Sequence, residues 1–106
     1  MNQVPIRYIG FWDIPRVFLA VYQKHTFLFD CAFDAELDDY PDFYRVYLLP
    51  ELKEEDLPTD WTTLRSRATR YLGEISVGQV HFDPSKRQSI DVAIFKELGV
   101  QKAVAG

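Results

Sequence analysis

The chain of 106 residues has one cysteine, two histidines and five glycines. Each scarcity excludes something. A single cysteine cannot close an internal disulfide, so the fold rests on its core, and this usage fits a reducing compartment such as the cytoplasm. No apolar run approaches the roughly 20 residues that span a bilayer, so no membrane segment is expected. No basic start, apolar stretch and small-residue cleavage site mark a secretory signal. The glycines form no phosphate-cradling or dinucleotide fingerprint, and there is no nucleophile elbow, so no cofactor is expected. His25, His81 and Cys31 do not fall at zinc-binding spacing. Residues 34–42 are rich in carboxylates but lack the glycine that lets a calcium loop turn sharply, so no metal is expected either. A net charge of -4 and a pI near 5.0 argue against nucleic acid as the main partner.

What is present is apolar and unevenly charged. Hydrophobic residues make up 47 %, ordinary for a globular chain and too many for a disordered one. The length fits one domain over residues 1–106, with a small apolar tail after 100 expected to fray. Residues 1–29 carry Arg7, Arg16 and Lys24 against Asp13, a net +2. Residues 30–60 carry eleven acids against Arg45 and Lys53, a net -9, and residues 61–106 are net +3. Twelve of the sixteen aromatic residues lie between Tyr8 and Tyr47, which marks that half as sheet.

Strands are expected at about 4–11, 16–23, 26–33 and 43–49, with Lys24 and His25 in a tight hairpin turn. In the second, Val17, Leu19 and Val21 alternate with Phe18, Ala20 and Tyr22, so both faces are apolar and the strand should be central. In the third, Phe27, Phe29, Cys31 and Phe33 share the core-facing side. Pro50 and Pro58 bracket one or two helical turns. From Asp60 the spacing of Trp61, Leu64, Ala68 and Tyr71 or Leu72 predicts a helix, the rival being a strand over 69–77. A short last strand is expected at 79–83. Asp91 as N-cap, with Ile90 and Phe95 as a hydrophobic staple, predicts a helix over about 92–98. The expected fold is therefore α+β: a four- to five-stranded, mostly antiparallel sheet with an N-terminal meander and two or three helices, one of them C-terminal and packed on the sheet.

Candidate chemistry is sparse. Cys31, in a strand among phenylalanines, reads as a core residue, and neither histidine is placed to activate it, so no catalytic set is identified. Arg67 and Arg70, three apart on the expected helix, form a possible anion site, with Tyr71 and Trp61 available to stack on a base. Trp12, Tyr40 and Tyr44 beside Asp38, Asp39 and Asp42 form a possible partner surface, acidic with aromatic anchors. It suits a basic protein partner or a homodimer contact. The favoured reading is a non-enzymatic protein-interaction module acting as an adaptor, regulator or inhibitor. The alternatives are an enzyme or enzyme subunit with an unrecognised site, and a self-associating structural unit.

Overall fold

A computed structural model describes residues 3–8, 15–31, 35–51, 54–58, 61–82 and 89–97. Six strands form one antiparallel sheet: β1 (Gln3–Arg7), β2 (Val17–Tyr22), β3 (His25–Asp30), β4 (Phe43–Leu49), β5 (Arg70–Ser76) and β6 (Ser89–Asp91). Their spatial order is β5-β4-β3-β2-β1-β6. The first five strands thus form a meander, and the sixth returns across the molecule to pair with β1, Ile90 opposite Val4. The single α-helix among the described residues, α1 (Ala93–Glu97), has five residues. The other helical pieces are 3-10 turns at Glu54–Asp56, Trp61–Arg67 and Val77–Gln79.

This architecture corrects the α+β expectation. The described residues form a six-stranded antiparallel sheet with almost no helix, not four to five strands with two or three helices. The expected helix after Asp60 is a 3-10 segment followed by β5. Trp61 and Leu64, three apart, are both buried, a spacing that a 3-10 turn satisfies as well as an α-helix does. The rival strand over 69–77 is the one that forms. The strand expected at 79–83 reduces to a single bridge, Phe82 to Ile90. Ile90 itself lies in β6 rather than at a helix start. The Asp91 cap is nevertheless made, since the Ala93 amide donates to Asp91 Oδ1 at 2.9 Å. The tail over 100–106 lies outside the described residues.

Pairing follows the alternation in the sequence. Phe18 stands opposite Phe29 and Leu19 opposite Leu28. On one face Phe18, Ala20, Phe27, Phe29, Tyr44, Val46 and Ile90 form the larger core. Phe18 and Phe29 stack with centroids 4.6 Å apart, and Phe18 meets Tyr44 edge-on at 5.3 Å. On the other face Leu19, Leu28 and Leu49 pack against Trp61 and Leu64. Among the described residues no long helix covers these faces. The run from β5 to β6 crosses the first with Val80 and Phe82, and α1 adds Ile94 and Phe95. The run from β4 to β5 crosses the second with Trp61 and Leu64.

Three backbone positions depart from ordinary geometry near the strands. The β2–β3 loop is Gln23–Lys24, not Lys24–His25, and both residues have positive φ, 50° and 67°, as a type I′ turn requires. Gly73 has φ 123°, beside the register shift where β5 bulges against β4. A Cβ at Gly73 would meet nothing within 4 Å, so only backbone strain opposes a side chain there. Gly73→Ala should therefore destabilise the fold by about 1–3 kcal/mol, and Lys24→Gly should stabilise it by up to about 1 kcal/mol. Urea unfolding midpoints of the two variants check both signs.

Candidate functional site

Residues 35–42 connect β3 to β4 and form an acidic turn at the Val17/Asp30 end of the sheet. Residues 35–40 and Asp42 are all exposed, and Asp38 adopts φ 54°, which aspartate tolerates better than most side chains. Asp39 Oδ1 accepts the Tyr40 amide at 2.7 Å, a local bond that shapes the turn. Arg16, just before β2, lays its guanidinium over the Tyr40 ring, 4.5 Å from the centroid. The same guanidinium donates from Nη1 towards Cys31 Sγ at 3.6 Å, and Sγ donates to the Pro41 carbonyl at 3.2 Å. Asp42 is held from the other side, its carbonyl accepting the Val77 amide at 2.9 Å. The turn is thus tied to residues flanking β2, β3 and β5 at once.

Among the described residues the large apolar side chains left exposed are Val21, Leu37, Tyr40 and Tyr71. Two of the four, Leu37 at 61 % and Tyr40 at 42 %, stand in the acidic turn. Leu37 is missed by a reading that looks for aromatic anchors. Its signal in the sequence is a leucine set between Glu36 and Asp38, with no strand or helix to bury it. A second feature missed from the sequence is a cleft of about 110 Å³ on the less covered sheet face, lined by Pro5, Arg7, Leu19, Val21, Thr26 and Leu57.

The expected site residues fall into separate places. Asp38, Asp39, Tyr40 and Asp42 stand together on the exposed turn. Tyr44 does not join them. It is fully buried in the larger core, and its hydroxyl donates to the Pro15 carbonyl at 2.6 Å. In β4, Tyr44 alternates with exposed Arg45 and shares its face with Val46, which directs the ring inward. Trp12 lies outside the described residues. Arg67 and Arg70 share no helix face, because Arg67 ends a 3-10 turn and Arg70 begins β5. Arg67 Nη1 donates to the Asp56 carbonyl at 2.7 Å. Trp61 is core and cannot stack on a base, whereas Tyr71 is exposed and lies 5.3 Å from Tyr47.

His25 and Cys31 lie at opposite ends of β3, on the order of 20 Å apart at about 3.3 Å per residue. Cys31 follows the strand rather than lying within it, and it is fully buried. Among the described residues no group of three or more His, Cys, Asp or Glu could hold a metal ion. Nor is any helix there long and apolar enough to cross a membrane. Comparison with known proteins adds no assignment: no family model matches the chain, and neither a curated protein nor a solved structure does.

Two measurements follow from this geometry. Cys31 should react with a thiol reagent in the native protein only as fast as the site opens, and at the rate of a free thiol in denaturant. Labelling kinetics with and without urea check this. The Tyr71 phenol is pushed above the ordinary value of 10.0, first by desolvation, then by the Glu74 carboxylate and Tyr47, with Arg45 pulling the other way. The native state therefore holds this proton more tightly than the unfolded chain. Stability present below pH 10 should fall as the pH rises from there towards the raised value. Tyr71→Phe should lose that part of the alkaline dependence, read from unfolding midpoints across the alkaline range.

Proposed function

We propose that the chain is a non-enzymatic protein-interaction module. It presents the 35–42 turn to a basic surface that offers a small apolar pocket. The supporting observation is the 61 % exposure of Leu37 among Glu36, Asp38, Asp39 and Asp42 in a tethered turn. A rigid turn loses little conformational entropy on binding, which favours its use as a contact. In this reading Leu37 and Tyr40 bury apolar area, and Glu36, Asp38, Asp39 and Asp42 select a cationic rim and speed encounter. The enzyme reading is weaker, because the only cysteine is buried and far from His25. The lone cysteine suits a partner met in a reducing compartment such as the cytoplasm.

The test is affinity capture from the native host's lysate on immobilised wild type, Leu37→Ala, Asp38→Asn/Asp42→Asn and Arg67→Ala/Arg70→Ala. Asparagine keeps the left-handed backbone accessible at position 38, so the second variant removes charge without removing the turn. The expected result is a set of proteins held by wild type at low salt and released at high salt. Leu37→Ala and the Asn pair should weaken retention about tenfold or more, and the arginine pair should leave it unchanged. Equal retention by all variants would overturn the proposal.

A further inference from the structure

We infer that the pocket complementary to the acidic turn is carried by the chain itself, so that the turn of one copy docks into the β1–β2–β3 cleft of a second copy, head to tail. This rests on the reading of the turn as a docking element. Three observations carry it. The first is size. The cleft offers about 110 Å³ between Pro5, Leu19, Val21, Thr26 and Leu57. A cavity of roughly 150 Å³ takes benzene, so this one matches a single branched aliphatic side chain. Leu37 is such a side chain, and it is the most exposed of the large apolar residues among those described.

The second observation is charge. Among the described residues the one charged side chain lining the cleft is Arg7, and Lys24 lies in the hairpin loop next to Val21 and Thr26. Leu37 is flanked by Glu36 and Asp38, with Asp39 one residue on. Seating Leu37 would bring those carboxylates to the cationic side of the cleft, the arrangement expected of an interface that steers its partners by charge.

The third observation is placement. The turn is tied to the start of β2 through Arg16, whereas Val21 and Thr26 lie at the hairpin end. At about 3.3 Å per residue, the four residues from Val17 to Val21 put the two ends of the sheet on the order of 13 Å apart. Within one copy the knob and the hole therefore face different neighbours. A contact between unlike surfaces leaves one knob and one hole unused in every dimer, so association continues into rings or open chains as concentration rises.

Sedimentation velocity across a wide concentration range tests this, using wild type, Leu37→Ala, Val21→Glu and Arg7→Glu. Val21 is 53 % exposed and Arg7 is exposed, so both cleft substitutions sit on the surface, and circular dichroism checks that each variant folds. Wild type should grow in mass beyond a dimer with concentration, and added salt should weaken that growth. Each single variant should remain a monomer. An equimolar mixture of Leu37→Ala and Val21→Glu should regain one contact and stop at a dimer, because only one intact knob and one intact hole remain.

A wild type that is monomeric at every concentration overturns the inference, as does a mixture that fails to recover a dimer. So does wild-type growth in a chain carrying both substitutions. A monomeric wild type that still captures lysate proteins through Leu37 overturns the self-docking alone and leaves the interaction module standing. Loss of neither capture nor self-association in Leu37→Ala overturns both.

Discussion

The β2–β3 hairpin is apolar on both of its faces, and the rest of the structure answers that constraint. Phe18, Phe27 and Phe29 on one side and Leu19 and Leu28 on the other cannot all be buried by one layer. Each fully buried side chain of this kind is worth about 1.5–3 kcal/mol, so leaving either face bare would remove much of a small domain's stability. Flanking strands protect the hairpin's edges, and the two long connections cross its faces. The connection from β4 to β5 brings Trp61 and Leu64, and the one from β5 to β6 brings Val80 and Phe82. The return of the chain to pair Ile90 with Val4 follows from that second crossing.

The cover is uneven, and the surfaces with functional potential lie where it is thinnest. On the Trp61 face the connection shields Leu28 and Leu49 but stops short of Val21. The cleft is the remainder. At the opposite end of the hairpin, Arg16 joins the strand start to the acidic turn through the Tyr40 ring and the Cys31 sulfur. A loop that would otherwise be a solvated acidic run is thereby positioned. Its large aliphatic side chain, Leu37, is held outward at a place set by the sheet.

Strands β2, β3 and β4 were legible because period-two alternation in aromatic and β-branched residues has few competing explanations. The region after Asp60 was not, because apolar residues three to four apart serve a 3-10 turn, an α-helix or the start of a bulged strand alike. Ile90 carried a helix signal for a similar reason: the caps and staples of a short helix begin within a strand that has only three residues. At the candidate site, Asp38, Asp39, Tyr40 and Asp42 were readable as one exposed acidic group. Tyr44 was misplaced by its acidic neighbours, although its alternation with Arg45 and Val46 already directed it inward. Arg67 and Arg70 were grouped by an expected helix and separated by the actual change of element between them.

The sequence by itself determined the doubly apolar hairpin, the charge segregation and the single thiol among aromatic residues, since these depend on residue type and local alternation. Tertiary structure alone decided what covers each face, because connections of twelve to twenty residues are free to cross a sheet by many local conformations. It also decided that Tyr44 is core, that Leu37 stands out, and that a leucine-sized cleft remains beside Arg7. Exposure and cavity shape are properties of packing between segments distant in the chain. No local pattern specifies them until those segments meet.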